Sequence, residues 1–361
     1  MTLEQRKLAF VELGKEIESA INTGLPTDNL NIRQQQLRIL AERLSETNGW
    51  FSHENVQYAL ESISNILKEN SLTEWLNSYN LPKSETEELN TVGVVMAGNI
   101  PAVGFHDFLS ILISGNKIKA KLSSSDRVLI PAFAAMLIAI EPLFAERISF
   151  TEERLNSIDA IIATGSNNSS RYFDYYFSRF PNIIRKNRTS VAILSGSESE
   201  VELKALFKDI FQYYGLGCRN VSKVFIPEKY NLIELLNQAV GWEHLADNKK
   251  YFNNYEYNKA IYLVNGVAHF DNGYLLLKED EGFSSPVSVV FYEKYSELSQ
   301  LKEKLSSNRE QLQCIVASTP LGIDAIPFGT TQNPAVKDYA DRTDTLSFLS
   351  SIKKASQNET I

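Results

Sequence analysis

The chain is poor in cysteine, with only Cys218 and Cys314 among 361 residues. That excludes a disulfide framework and points to a reducing, cytoplasmic setting. Positive charge is in deficit, with Lys+Arg 36 against Asp+Glu 44 and a formal net charge of -8. A broad nucleic-acid footprint needs the opposite sign, so no nucleic-acid partner is expected. Long apolar runs are missing too. The longest, residues 128–140, is interrupted by Pro131 and falls short of the roughly 20 residues that a membrane span needs. The opening Met1-Thr2-Leu3-Glu4-Gln5-Arg6-Lys7 mixes acids and bases as an amphipathic helix does, with no signal-peptide core. The four histidines (His53, His106, His244, His269) are scattered without metal-ligand spacing to a cysteine or carboxylate, so no metal is expected. The dinucleotide fingerprint GxGxxG is absent, as are repeats and low-complexity tracts.

What is present is the composition of a globular protein, 43% hydrophobic and 22% charged. A single core stops growing at roughly 250–300 residues, so two or more lobes are expected. Residues 1–88 read as helices, with Leu37, Leu40, Leu44 and then Val56, Leu60, Ile63, Ile66 and Leu67 at helical spacing. A polar stretch over residues 82–90 marks a boundary. Beyond it, strand-like runs at 92–96, 117–120, 160–163 and 191–194 alternate with helical patterns at 105–113, 128–140, 170–177 and 200–214. This alternation predicts an α/β fold with largely parallel strands. Further strand-like runs at 223–226, 260–264, 287–291 and 313–317, flanking helices near 232–239 and 297–305, predict a second α/β lobe. The expected division is a helical N-terminal region (1–88), a nucleotide-binding domain (89–185), a cysteine-bearing domain (186–320) and a C-terminal segment (321–361). Residues 355–361 read as a disordered tail.

Cys218 lies in Tyr213-Tyr214-Gly215-Leu216-Gly217-Cys218-Arg219-Asn220-Val221-Ser222, between a helix and a strand. Its glycines let a substrate approach closely, and a neighbouring cation would favour the thiolate. The residues read either as a nucleophile or as a structural cysteine in a tight turn. Cys314, within Cys314-Ile315-Val316-Ala317, reads as core.

Three segments of the first lobe have the grammar of a nucleotide or oxyanion site. Gly98-Asn99-Ile100-Pro101 follows a strand, so Asn99 either presents an amide donor or closes an Asx turn. In Lys117-Ile118-Lys119-Ala120-Lys121-Leu122-Ser123-Ser124 the lysines share one strand face, which is either solvated or places Lys121 near a cofactor. Thr164-Gly165-Ser166 opens a helix, as a phosphate cradle or a plain cap. His106, beside Asp107, reads as a proton relay or as helix N-terminal solvation. Phe328 reads as a channel wall or a packed turn.

In this order these motifs resemble the aldehyde dehydrogenase superfamily over most of residues 90–350. Gly98-Asn99-Ile100-Pro101 is similar to its Asn-Phe-Pro turn. Lys121-Leu122-Ser123-Ser124 is similar to Lys-Pro-Ser-Glu, with Leu122 and Ser124 departing from it. Thr164-Gly165-Ser166 is similar to its phosphate turn, and Gly217-Cys218 to its catalytic turn. Gly217-Cys218-Arg219-Asn220-Val221-Ser222, Ile184-Arg185-Lys186-Asn187-Arg188-Thr189-Ser190-Val191 and Pro327-Phe328-Gly329-Thr330-Thr331-Gln332-Asn333-Pro334 resemble the bacterial acyl-CoA/acyl-protein thioester reductases, which include the supplier of fatty aldehyde to bacterial luciferase.

The resemblance implies reduction of a fatty acyl thioester, delivered by CoA or an acyl-carrier protein, with NADPH as reductant and NADH open. It implies Cys218 as nucleophile, Asn99 as oxyanion donor, cofactor contacts at Lys121, Ser123, Gly165 and Ser166, and substrate contacts at Arg188 and Phe328. A homo-oligomer stays open. Aldehyde-oxidising members carry a general-base Glu some thirty residues before the cysteine, where residues 185–188 here hold no acid. That basic cluster would bind a phosphate or form a solvated rim. Glu281 sits one residue out of register with the family's ribose motif. The competing readings are an aldehyde-oxidising dehydrogenase and a non-catalytic acyl-binding assembly subunit.

Overall fold

Thr2 and Gln5 start the first helix by exchanging hydrogen bonds between each side chain and the other's backbone N–H. The computed structural model describes residues 1–81, 89–318 and 321–352, and the chain divides into two units, Met1–Lys186 with Ala335–Ile361, and Asn187–Pro334. The expected polar boundary at 82–90 and the tail at 355–361 fall largely or wholly outside the described residues.

The first unit opens with α1 (Leu3–Ile21), α2 (Ile32–Thr47), α3 (His53–Ile66) and α4 (Glu69–Asn77). The leucine and isoleucine spacing read from the sequence is the buried stripe of α2 and α3. There follow β1 (Thr91–Val95), α5 (Phe105–Ile113), β2 (Lys117–Lys121), α6 (Leu129–Ile140), β3 (Ile148–Phe150), β4 (Ala160–Thr164), α7 (Asn167–Phe177) and β5 (Asn182–Arg185). The five strands pair in parallel in the order β3-β2-β1-β4-β5. The chain therefore reverses its direction of build at β1, and the crevice at the carboxyl ends of β1 and β4 is the topological switch point. Residues of α1, α5 and α6 share one large core with Val92, Val94 and Ile118 of the sheet. Phe173 and Phe177 of α7 pack on Ile161 and Ala163 of β4.

The second unit contains β6 (Thr189–Ile193), α8 (Glu200–Phe211), β7 (Val221–Pro227), α9 (Leu232–Asn237), α10 (Lys249–Val264), β8 (His269–Asp271), β9 (Leu276–Glu279), β10 (Val289–Tyr295), α11 (Leu298–Ser307) and β11 (Leu312–Ala317). Its sheet runs β11-β6-β7-β10-β9-β8, parallel except for β8. Val191, Ile193 and Phe225 of its central strands pack on Leu301 and Leu305 of α11. Buried Lys223 of β7 donates to the carbonyls of Asp280 and Glu281, each at 2.9 Å, and pairs with Glu293. Burial pushes its ammonium below the ordinary lysine value.

One helix, α12 (Thr345–Ser351), completes the first unit, with Leu346 and Leu349 in its core. Tyr339 ahead of it accepts from Trp75 Nε1 at 2.7 Å.

The α/β architecture with parallel-rich sheets is as the sequence predicts. One expected strand is not a strand. Residues 260–264 end α10, whose side chain-capped start at Asn248 lies twelve residues before that run begins. Its buried residues, Tyr251, Tyr255, Asn258 and Tyr262, step by four, three and four, a helical period that the five apolar residues alone do not reveal.

Candidate active site

Helix α8 stops at Phe211, where Gln212 leaves helical geometry with ψ 138°. Tyr213, Tyr214 and Gly215 then follow with φ of 55°, 57° and 75°, three consecutive left-handed residues. Glycine adopts that conformation freely, but each tyrosine costs roughly 1–3 kcal/mol there. Both tyrosines are buried, so the surrounding unit holds them.

The turn that follows is tied at every residue. Asn220 N donates to Gly217 O at 3.0 Å, and Gly217 N donates back to Asn220 Oδ1 at 2.8 Å. Asn220 Nδ2 reaches the carbonyls of Asp209 (3.0 Å), Ile210 (3.3 Å) and Gln212 (2.8 Å) at the end of α8. Ser190 Oγ donates to Cys218 O at 3.0 Å and accepts from Cys314 N at 3.1 Å. The strand ladders slip in register beside Ser190 and between Leu312 and Ile315, the two places this hydroxyl joins. Within this frame Cys218 is exposed, while Cys314 is buried in β11. Arg219, next to Cys218, donates from Nη1 to Cys314 Sγ at 3.4 Å.

Two substrate candidates lie in the same unit. Arg188 is half-buried, one residue before β6, whose amino end adjoins that of β7. Phe328 is buried in a loop held by Asp209 of α8. The Asp209 carboxylate accepts from Gly329 N at 2.6 Å, Thr331 N at 3.0 Å and Thr331 Oγ1 at 2.8 Å. Gly329 has φ 80°, and a Cβ there would meet Ala205 Cβ at 3.0 Å, so glycine lets the loop lie against α8. Burial pushes the Asp209 carboxyl above its ordinary value despite these donors.

The first unit gathers the remaining candidates at the carboxyl ends of its strands. Asn99 is exposed just beyond β1. A Cβ on Gly98 would meet Ser123 Oγ at 2.5 Å, so the Asn99 turn and the residues after β2 are in direct contact. Asp126 fastens this junction, its carboxylate accepting from Ala102 N at 2.8 Å and Leu129 N at 3.4 Å. Burial raises the Asp126 carboxyl as well. Lys117, Lys119 and Lys121 share one face of β2 as expected, and Lys121 Nζ donates to Glu153 O at 3.4 Å. Ser166 caps α7 by accepting from Ser169 N at 3.2 Å. The Cβ position of Gly165 is filled by Phe173 and Ser169, each with an atom at 2.8 Å, so this glycine serves strand–helix packing.

Two expectations are corrected. Residues 185–188 do not form one basic cluster. Arg185 is buried at the end of β5 in a bidentate pair with Asp107 (2.5 and 2.8 Å) and bonds Thr345 Oγ1 at 3.1 Å. A charge this deep needs its counter-charge, so it is unavailable to solvent phosphate. His106 is no relay either, because Nε2 lies 2.7 Å from Val336 O and its ring packs on Trp75 and Tyr339.

Sequence reasoning missed Asn220, Ser190, Asp209 and Asp126. Asn220 alone left a trace, as an Asn two residues after a Gly-Cys pair. The other three act through partners far away in the chain. Among the described residues, no group of three or more His, Cys, Asp or Glu could hold a metal ion, and no helix is long and apolar enough to cross a membrane.

Comparison with solved structures shows the same fold at low identity. Aldehyde dehydrogenase 21 of Physcomitrella patens, solved with succinate, is 12% identical with TM-score 0.63, covering 97% of this chain and 85% of its own. The indole-3-acetaldehyde dehydrogenase of P. syringae, solved with NAD+ and IAA, is 10% identical with TM-score 0.62, covering 88% and 72%. An NAD-dependent benzaldehyde dehydrogenase of Corynebacterium glutamicum is 14% identical with TM-score 0.60, covering 85% and 76%. No curated protein matches the sequence. The family profile of acyl-CoA reductase (LuxC) matches residues 27–320. With that match on a fold shared with aldehyde dehydrogenases, this chain belongs to the acyl-CoA reductase (LuxC) family.

Proposed function

We propose that the protein reduces a fatty acyl thioester, carried by CoA or an acyl-carrier protein, to the aldehyde through an acyl-cysteine at Cys218. The observation that carries this reading is an exposed thiol on a turn whose backbone is fixed on both sides, within a family of acyl-CoA reductases. Cys218 Sγ forms a bond to the thioester carbon while the bond to the departing thiol breaks, and that thiol leaves with a proton. Thioester exchange is nearly isoenergetic, so the step asks mainly for positioning and for donors to the oxyanion. Asn99 and the Cys218 backbone N–H are the donors assigned to it.

The first unit suits a dinucleotide reductant, NADPH first and NADH second. Its exposed Asn99 turn, Lys121, Ser123 and the α7 N-terminus at Gly165 and Ser166 all stand at the carboxyl ends of parallel strands around a switch point. When bound, such a cofactor supplies hydride. The acyl-cysteine carbon would then become a thiohemiacetal on Sγ, and breaking its C–S bond would release aldehyde and return Cys218 as free thiol. Arg188 and Phe328 are assigned to the substrate. Absence of an acid over residues 185–188 keeps water unactivated while the acyl-cysteine waits.

The test is a panel of acyl-CoA chain lengths with NADPH or NADH, followed by cofactor absorbance and aldehyde yield. Acyl-dependent cofactor oxidation with matching aldehyde is expected. Oxidation of free aldehydes with NAD+ or NADP+, without acyl-CoA reduction, would replace this reading by the oxidising one.

A further inference from the structure

We infer that Asn220 is a positioning residue for Cys218, fixing the turn that carries the thiol and neutralising the carbonyl end of α8 beside it. The inference rests on the proposed role of Cys218. A helix leaves its last carbonyls without intrahelical partners, and its C-terminus carries roughly half a negative charge. Here three terminal carbonyls, those of Asp209, Ile210 and Gln212, converge on one group, Asn220 Nδ2, at 2.8–3.3 Å. The other end of the same carboxamide accepts from Gly217 N at 2.8 Å, on the residue before the thiol. Asn220 is 2% exposed, so no water replaces it without rearrangement.

Few side chains do both jobs. Asparagine offers a double donor and an acceptor at this length. Aspartate keeps the acceptor but turns a negative charge onto three carbonyl oxygens. Alanine leaves the carbonyls bare and the turn held only by its main-chain bond from Asn220 N to Gly217 O. Uncovered carbonyls at the end of α8, whose shared donor sits two residues after Cys218, disfavour its thiolate. Two left-handed tyrosines between helix and turn make the same anchor more necessary, because their strain relaxes wherever the grip on Gln212 O is lost. Ser190, holding Cys218 O from β6, is the second anchor.

The test measures alkylation of Cys218 by iodoacetamide against pH, read by mass spectrometry of its peptide, in the full-length protein. Wild type is compared with Asn220→Ala, Asn220→Asp, Ser190→Ala and Leu206→Ala. Leu206 is fully buried in α8, outside the turn's own residues, and supplies a loss of melting temperature for comparison. In Asn220→Ala the alkylation midpoint should move to higher pH and the rate at pH 7 fall about tenfold, equivalent to one unit of thiol pKa. Asn220→Asp should shift it further, and Ser190→Ala should slow alkylation about threefold. In the reductase assay Asn220→Ala should lower kcat about 10²-fold with KM within about twofold, as misplacement of a reacting group does.

Leu206→Ala should leave the midpoint unmoved. If Asn220→Ala melts earlier but matches Leu206→Ala in midpoint and kcat, Asn220 is structural and the inference is overturned. Should Asn220→Ala not fold, Asn220→Asp and Ser190→Ala decide by the same readouts. A shifted midpoint together with full acyl-CoA reduction by Cys218→Ser would keep the turn's chemistry and remove the nucleophile.

Discussion

Cys218 and Cys314 stand at two ends of one short hydrogen-bonded path, from Cys218 O through Ser190 Oγ to Cys314 N, yet only Cys218 reaches solvent. Their replacements should therefore behave oppositely. Cys218→Ser should abolish acyl labelling and turnover with a melting temperature close to wild type. Cys314→Ser should retain the chemistry and lose about 1 kcal/mol of stability or less, because the buried hydroxyl keeps the Arg219 Nη1 donor. Denaturant melts and turnover assays on the same preparations separate the two. Asn99 is proposed as an oxyanion donor, so Asn99→Ala should lower kcat about 10²–10³-fold with little change in KM. A rise in KM with kcat intact would make Asn99 a turn residue only.

At the scale of elements, the ion pair between Arg185 of β5 and Asp107 of α5 changes what the basic segment means. Arg185→Ala leaves Asp107 buried without its charge partner and should cost about 3–5 kcal/mol. Lys186, exposed in a 3.8 Å pair with Asp174, should cost under about 1 kcal/mol on replacement by Ala. Lys186→Glu is accordingly the usable position for adding a base, and free acid should then accumulate at the expense of aldehyde.

Asp209 makes a pH prediction through its loop contacts. Its folded carboxyl lies above the ordinary 3.8, so folding holds a proton that the unfolded chain releases sooner. The stability this adds is complete below 3.8 and is lost as pH rises through the raised folded value. The difference in unfolding free energy between wild type and Asp209→Asn should therefore shrink as pH rises across that window. Equal differences at every pH would show that Asp209 titrates as in the unfolded chain.

These elements also show what the sequence could disclose. Parallel strands and helices with local periodicity, such as β1, α5, β2 and β4, are legible because burial dictates residue type along each one. The left-handed pair Tyr213 and Tyr214 is not, since tyrosine carries no local preference for that conformation and is held there by burial. Strand β5 carries no strand signal because its four residues, Asn182–Arg185, include two polar ones and end in a buried arginine. The last part of α10 resembles a strand for the converse reason, an apolar run half of which faces solvent, with Leu263 62% and Val264 86% exposed. At the site, Cys218 and Asn99 stand out in local context. The groups that hold them, Asn220, Ser190 and Asp126, act through contacts whose partners lie as far as 124 residues away.

On the scale of the whole molecule, each unit supplies one half of the proposed chemistry. The first offers strand-end donors around a switch point, and the second offers an exposed thiol on a braced turn. In the proposed reaction, acyl groups rest covalently on Cys218 and leave as aldehyde. The most direct measurement is mass spectrometry of the protein and its Cys218 peptide after incubation with a long-chain acyl-CoA, before and after adding NADPH. One acyl group should load on Cys218, persist without cofactor, and discharge on NADPH addition with one equivalent of aldehyde. No adduct, an adduct on another residue, or rapid discharge to free acid without cofactor would contradict it.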